Sequence, residues 1–295
     1  PIRGTKGTWS CVKVSEGCAH CYAERLNERQ GGPPYAVGKD TLRLDETILT
    51  QPLRWKRPRR IFVCSMTDLF EERVPEEWIE RIFAVMALAS QHTFQVLTKR
   101  AERMLTLFTT LGGMETRDEC VQREVEDRGW ILDARGSEQH HYPPSARMTK
   151  EDLAKRRPWT GWPLPNVWLG VSVENQARAD ERIPWLLKTP AAVRFLSVEP
   201  LLGPVDVEKH LVPRWLNPDS PTVEARAAFY KLGPMRRVDW VIVGGESGGP
   251  PERALVEKTK DFRLGSNYQA EGRYAWTLKP EALEWLRAIR DQCRE

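Results

Sequence analysis

The sequence contains no long apolar run: no uninterrupted stretch approaches the roughly 18 residues that a membrane-spanning helix needs. It also lacks a strong charge of one sign, because 45 basic and 41 acidic residues leave a net charge of only +4. These two absences exclude a membrane protein, and they mean that charge alone does not diagnose nucleic-acid binding, although a pI near 8.8 permits an anionic partner.

A secretory leader and a dense disulfide framework are also missing. No charged-then-apolar segment opens the sequence, and 295 residues are enough to bury a substantial core without disulfide staples. We therefore expect a protein of the reducing cytoplasm, in which cysteines serve metal binding or catalysis rather than disulfides.

Apolar, β-rich runs alternate with helical segments along the chain. Strands are predicted at 61–65, 94–98, 167–174, 193–199 and 240–247, and helices at 22–30, 75–90 and 280–291. This alternation is typical of a parallel sheet covered by helices on one or both faces, in an α/β barrel or a doubly wound sheet. The polar stretch 112–165 interrupts it, and we interpret that stretch as an insertion or lid within one domain, 1–295.

Three of the six cysteines are crowded into eleven positions, with the spacing Cys11-x6-Cys18-x2-Cys21, just before the first predicted helix. Three thiolates on one short loop can bind three irons of a 4Fe-4S cluster and leave the fourth iron open to a cofactor or substrate. Zinc is the alternative, and it needs a fourth ligand, for which the candidates are His20, Cys64 and His92.

Polar residues follow the predicted strands, at the edge where both architectures bind ligands. Ser65, Thr67 and Asp68 come after the first strand of this set, where they can bind a cofactor, although Asp68 can also simply cap the next turn. Lys99 and Arg100 follow the second, where they either bind a carboxylate or phosphate or begin a solvated helix.

Each of the last three predicted strands delivers a glutamate at its carboxyl end. A charge there favours a functional rim, and salt bridges to loop Lys or Arg residues are the competing explanation. The serines two positions before two of these glutamates point the same way as the glutamates, since side chains alternate along a strand. The rim candidates are Ser172, Glu174, Ser197, Glu199 and Glu246.

A different reading starts from a run of basic residues around Trp55, which can grip a nucleic-acid backbone or form an ordinary solvated loop. Combined with zinc at the cysteine loop, it would describe a non-enzymatic, zinc-stabilised nucleic-acid-binding protein. The basic residues are Arg54, Lys56, Arg57, Arg59 and Arg60.

Several segments together carry a family resemblance. They read TWSC, SEGCAHCYAER, IFVCSMTDLF, FQVLTKR, VWLGVSVEN, FLSVEPLLGPVD and WVIVGGESG, and they are spread over about residues 5 to 250. Jointly they resemble the phage-associated three-Cys-motif proteins of the radical S-adenosylmethionine (radical SAM) superfamily, which are distantly similar to spore photoproduct lyase-type DNA repair enzymes.

The resemblance implies a partial (β/α)6 TIM-like barrel and a 4Fe-4S cluster held by the three cysteines of the loop. It also implies reductive cleavage of S-adenosylmethionine to a 5′-deoxyadenosyl radical, with a flavodoxin- or ferredoxin-like electron donor. The substrate would be a nucleic acid or modified nucleotide, and the location the host-cell cytoplasm.

Site residues follow from the same resemblance. The cofactor contacts are expected among the rim residues above, together with Tyr22 and the sequence Gly244-Gly245-Glu246. In the superfamily, three residues commonly separate the first two cysteines and the Gly-Gly-Glu motif follows an early strand; here the separation is six and the motif lies late. The candidates for direct catalytic roles are Lys99, Arg100, Glu174 and Glu199.

Overall fold

The computed structural model describes residues 1–4, 7–35, 42–109, 163–210, 238–245, 256–259 and 275–293. Near the start of the chain, β1 (Ile2–Arg3) pairs antiparallel with β2 (Arg43–Leu44). Between them lie a short 3-10 turn (Glu16–Cys18) and helix α1 (Tyr22–Arg29). Two short helices, α2 (Glu46–Leu49) and α3 (Gln51–Arg54), lead into the main sheet. The cysteine loop therefore precedes a helix, as predicted.

Five parallel strands form the main sheet, and they lie side by side in the order in which they occur along the chain. They are β3 (Arg60–Val63), β4 (Thr93–Thr98), β5 (Val167–Ser172), β6 (Val193–Val198) and β7 (Trp240–Val243). The predicted parallel α/β sheet is confirmed. No closed barrel is formed by the residues that the structure describes.

Four longer helices accompany the sheet: α4 (Glu76–Leu88), α5 (Ala101–Thr109), α6 (Gln176–Lys188) and α7 (Pro280–Gln292). A separate antiparallel pair is formed by β8 (Val256–Thr259) and β9 (Ala275–Leu278). Across the described ranges, none of the helices is long and apolar enough to cross a membrane. The predicted insertion at 112–165 falls almost wholly outside the described residues.

Local chemistry explains where the helices begin. Pro75 precedes α4, and Glu76 and Glu77 occupy its first turn, where carboxylates favour the positive end of the helix dipole. Asn175 caps α6, because its side-chain oxygen accepts a hydrogen bond from the Arg178 amide at 3.1 Å. Helix α5 begins at Ala101, so Lys99 and Arg100 belong to the turn before it rather than to its first residues.

The helices pack on one face of the sheet. Strand residues at alternate positions, including Val63, Val96, Leu169 and Leu196, join the helix residues in one apolar core. Strands in sequential order with right-handed crossovers place their connecting helices on the same side, which accounts for this one-sided packing. The residues in between face the other way and lie outside that core: Phe62, Gln95, Leu97, Trp168, Phe195 and Trp240.

A buried asparagine in α1 ties together the two ends of the segment that carries the cysteines. The Asn27 side chain accepts a hydrogen bond from the Trp9 amide at 2.9 Å and donates to the carbonyls of Trp9 and Pro33 at 3.1 and 2.8 Å. Asn27 is completely buried, so water cannot replace these bonds.

We predict that Asn27→Ala lowers the free energy of unfolding by about 3 kcal/mol, because it leaves buried backbone groups without partners. Glu28→Ala, an exposed change on the same helix, should stay within about 0.5 kcal/mol of the unchanged protein. Urea unfolding checks both values. Equal midpoints for the two variants would show that Asn27 does not anchor this segment.

Candidate cofactor site

A cavity of about 380 Å³ lies at the carboxyl ends of the parallel strands, the edge predicted for ligand binding. Its volume falls within the range of roughly 300–1,000 Å³ that is usual for small-molecule sites. The cysteine loop forms one wall, with Cys11, Cys18 and Cys21, and the turn after β3 forms another. The strand-end residues of β4, β5 and β6 complete it.

Most of the residues predicted for the site meet in this cavity. The structure places there all three loop cysteines together with Tyr22, Ser65, Thr67, Asp68, Lys99, Arg100, Ser172, Ser197, Glu199 and Gly245. Gly244 lies just behind it, where a Cβ atom would overlap the carboxylate of Glu199. Glu246 lies outside the described residues, as do His140 and His141 of the insertion.

Glu174 does not line the cavity; it supports the cysteine loop from behind. Its carboxylate is fully buried and pairs with Lys99, and Arg182 donates to it at 2.9 Å. The Ser15 hydroxyl of the cysteine loop donates to the same carboxylate at 2.6 Å. The sequence left two explanations for Glu174, a functional rim or salt bridges to basic residues. The structure shows the salt bridges.

Arg100 makes a second attachment to the same loop. One of its terminal nitrogens donates to the carbonyl of Val12, the residue after Cys11, at 3.1 Å. The other donates to Asp68 at 3.1 Å, and Nε donates to Glu72 at 3.0 Å. Arg100 is buried and ion-paired, so it is not the solvated helix start that was the alternative for this position.

Asp68 is held by four donors. Its carboxylate accepts hydrogen bonds from the amides of Phe70 and Lys99, from the Thr98 hydroxyl and from Arg100. The bond from Phe70 is a local turn cap, as the alternative for Asp68 proposed. The other three join the turn after β3 to the end of β4, so Asp68 both caps a turn and shapes the cavity wall.

The Cys11 thiol lies in an environment that favours its neutral form. Burial, followed by the nearby Asp68 carboxylate, raises the pKa of Cys11 to about 12. Cys11, Cys18, Cys21, Cys64 and Cys293 all occur as free cysteines. In the described part of the chain, no three His, Cys, Asp or Glu side chains converge closely enough to hold a metal ion as they stand.

The possible fourth ligands for zinc separate into two groups. His20 and Cys64 line the cavity. His92 lies immediately before β4, at the opposite end of the sheet, where its ring nitrogens contact the Arg59 amide and the Pro52 carbonyl. The proposal that His92 completes a zinc site with the cysteines is therefore wrong, because the full length of a strand separates them.

Some supporting residues were not predicted from the sequence. Ser15 and Arg182 bind Glu174, and Arg73 donates to the Ser10 hydroxyl beside Cys11 at 3.2 Å. Ser15 and Arg73 lie 159 and 63 positions from their partners, and Arg182, eight positions from Glu174, belongs to no local motif. Cys64, one of the candidates for a fourth zinc ligand, has the left-handed backbone angle φ 56°, which redirects the chain from β3 into the cavity wall.

Gly17 lies against Glu174, and a Cβ atom there would overlap its Cγ, Cδ and Oε1 atoms. We predict that Gly17→Ala displaces the cysteine loop and speeds the reaction of Cys18 and Cys21 with a thiol reagent severalfold. Gly203→Ala is the matched control, since nothing lies within 4 Å of its Cβ position. Unchanged thiol rates in Gly17→Ala would contradict the packing of the loop on Glu174.

A second prediction concerns pH. Burial alone would raise the pKa of Glu174, but Lys99 and Arg182 outweigh it and hold the pKa below its usual value. A carboxylate with a lowered folded-state pKa stabilises the protein above its unfolded-state pKa, roughly 4.3, and this stabilisation is lost as the pH falls through the folded-state value.

Glu174→Gln should therefore lower the free energy of unfolding by about 3 kcal/mol at pH 7, because the buried Arg182 and the partly buried Lys99 lose their partner. The difference from the unchanged protein should shrink as the pH falls below about 4.3. Denaturant unfolding from pH 7 to pH 3 measures it, and a difference that stays constant over this range would refute the ion-pair explanation.

Comparison with known proteins gives one match. A family model described as "Protein of unknown function (DUF5131)" matches residues 3–262, which include the cysteine loop and the whole parallel sheet. No curated protein and no solved structure matches the chain. Because the model covers most of its length, the chain belongs to the DUF5131 family.

Proposed function

We propose that the chain is a radical S-adenosylmethionine enzyme in which Cys11, Cys18 and Cys21 hold a 4Fe-4S cluster. One observation carries this proposal: three free thiols from a single loop line the same cavity as a polar rim at the carboxyl edge of a parallel sheet. Three thiolates leave one iron of such a cluster without a protein ligand, so that a cofactor can bind there.

The donor set fits the cluster in kind and number, and the cavity lies where a cofactor would contact it. Cluster binding would draw the three thiols together from their present positions on the cavity wall. Cys64 also lines the cavity, but it lies on a different element, in the turn after β3 and 43 positions after Cys21. We therefore assign the ligands to the loop alone.

Polar groups that face the cavity would bind S-adenosylmethionine. Its ribose hydroxyls and its amino and carboxylate groups need hydrogen-bond partners, which the rim can supply. Glu199 is suited to an amino or hydroxyl group, since its carboxylate accepts only a bond from Ser197 at 3.1 Å within the described contacts. The remaining proposed contacts are Tyr22, Ser65, Thr67, Asp68, Ser172, Gly244, Gly245 and Glu246.

The four residues proposed for catalysis divide by location. Lys99 and Arg100 line the cavity and Glu174 lies behind the cysteine loop, but all three are held in ion pairs, so we propose that they position the loop. Glu199 alone of the four has its carboxylate in the cavity with one described partner, so it is the one we propose to contact the cofactor or the substrate.

The chemistry that a bound cluster would supply is transfer of one electron to the sulfonium of S-adenosylmethionine. Reductive cleavage of this cofactor would give methionine and a 5′-deoxyadenosyl radical, which would take a hydrogen atom from the substrate. An external one-electron donor, such as a flavodoxin or ferredoxin, supplies the electron. A nucleic acid or modified nucleotide is the proposed substrate, and free thiols favour a reducing, cytoplasmic compartment.

The same proposal extends to the fold. A sheet with strands in sequential order and helices on one face has the arrangement of a barrel wall. We therefore propose that it is part of a partial (β/α)6 barrel, with the cofactor cavity at the mouth. The opposite face of the sheet would then face the barrel interior.

Anaerobic reconstitution with ferrous iron and sulfide tests the proposal. We expect about four iron atoms per chain, the visible absorption of a 4Fe-4S cluster, and 5′-deoxyadenosine formation after reduction with S-adenosylmethionine. The triple variant Cys11→Ala, Cys18→Ala, Cys21→Ala should lose all three. Cys293→Ala, which removes an exposed cysteine at the end of α7, should retain them.

The second candidate is a zinc-stabilised nucleic-acid-binding protein without enzymatic activity. The observation that favours it is that His20 and Cys64 line the cavity, where either would serve as the fourth zinc ligand. Metal analysis of the purified protein separates the two. Uptake of one zinc and no iron by the full chain, abolished in the same triple variant, would support this second function and overturn the first.

A further inference from the structure

Within the described residues, one face of the sheet carries no helices, and this face is aromatic. Phe62 on β3, Trp168 on β5 and Trp240 on β7 all point to this side, because none of them joins the core formed by the alternate strand positions. Phe62 is 44 % exposed and Trp240 54 % exposed. We call these three side chains the aromatic face.

The aromatic face extends across the sheet as a platform that also includes Gln95 and the buried Phe195. By register, Phe62 lies beside Gln95, which lies beside Trp168, so these residues form one row across three strands. The rings of Trp168 and Trp240 meet with their centroids 6.3 Å apart and their planes at 38°. The platform spans the five strands from β3 to β7. Its width is about 20 Å, because neighbouring strands are roughly 4.8 Å apart.

Positive charge lies beside this platform, at the amino end of the edge strand β3. Arg60 is the first residue of β3, points to the same side as Phe62 and is exposed. The exposed residues Arg54, Lys56, Arg57 and Arg59 precede it directly, and within the described residues none of these five side chains forms an ion pair with a carboxylate. The run therefore carries charge that is available to an anionic partner.

Trp55 is not part of this surface. It is half-buried, Arg59 stacks over its ring at 4.3 Å, and its edge meets His92. We therefore assign the aromatic contact with nucleic acid to residues of the sheet, which lie far from Trp55 in sequence, and not to Trp55 itself. The basic residues, in contrast, keep the role considered for them.

The platform is continuous with the cofactor cavity. Phe62 lines that cavity, as does Leu97 on the neighbouring strand. Strand β3 has four residues and is about 13 Å long, so the basic end and the cysteines are within reach of one short, extended ligand. The carboxylates that line the cavity, Asp68 and Glu199, lie at the cavity end of this route rather than at the basic end.

We propose that the aromatic face and the basic run together bind single-stranded nucleic acid. Aromatic rings stack on any base, and Arg and Lys side chains contact phosphates, whereas duplex bases are already stacked on one another. One nucleotide of the bound strand would enter the cavity, a step that rests on the proposed function; binding to the surface does not depend on the cluster.

Fluorescence anisotropy with labelled 15-mers of deoxythymidine and of uridine tests this binding, using the full chain as purified. We expect dissociation constants in the micromolar range, with a duplex of the same length bound more weakly. Trp240→Ser and Phe62→Ser should each weaken binding of the single strands by about tenfold, and Trp240→Phe should restore most of it. Leu26→Ser, an exposed apolar change on α1, should have no effect.

Salt dependence tests the basic run separately. Removing one phosphate contact reduces the slope of log affinity against log salt by about 0.7 for a single strand. Arg60→Gln should show this reduction, and Arg287→Gln, an exposed arginine on α7, should not. A preference for DNA over RNA, or the reverse, would identify the type of single strand that binds, and either preference would support the proposed surface.

Several outcomes would overturn the proposal: no binding of either single strand, a duplex bound as tightly, or full affinity in Trp240→Ser. So would self-association of the chain that Trp240→Ser abolishes while no oligonucleotide binds, since the aromatic face would then be an interface between copies. Cluster assembly plays no part in these measurements. Loss of oligonucleotide binding and loss of 5′-deoxyadenosine formation are thus separate results.

Discussion

Buried charge pairs attach the cysteine loop to the carboxyl edge of the parallel sheet, and the site depends on them. Glu174 binds Lys99, Arg182 and the loop residue Ser15, and Arg100 binds the carbonyl beside Cys11. A short polar loop has too little apolar surface to hold itself in place, so it relies on such contacts. Each pair is costly to break, because the remaining charge stays buried.

This attachment determines what the edge of the sheet can do. The loop covers the strand ends on one side and leaves a cavity whose walls carry thiols, hydroxyls and a carboxylate. Within the described residues, the helices occupy the opposite face of the sheet, and Phe62 and Trp240 of the aromatic face are exposed. Cofactor chemistry at the edge and an extended ligand along the face are therefore compatible, since the two surfaces meet at Phe62.

The parallel sheet and most of the cavity could be predicted because their signals are local. Apolar runs such as 94–98 and 193–199 specify strands, and residues after parallel strands must share an edge. The pairing of Ser15 with Glu174 could not be predicted, since 159 positions separate the two residues. Nor could the exposure of Phe62 and Trp240, because a continuous apolar run does not distinguish a face covered by helices from an open one.

The central claim is that Cys11, Cys18 and Cys21 hold an iron–sulfur cluster at the end of this sheet. Anomalous diffraction at the iron absorption edge, from crystals of the reconstituted protein grown without oxygen, tests it most directly. The account predicts an iron peak within bonding distance of all three sulfur atoms. A peak at the zinc edge alone, or iron bound away from this loop, would contradict it.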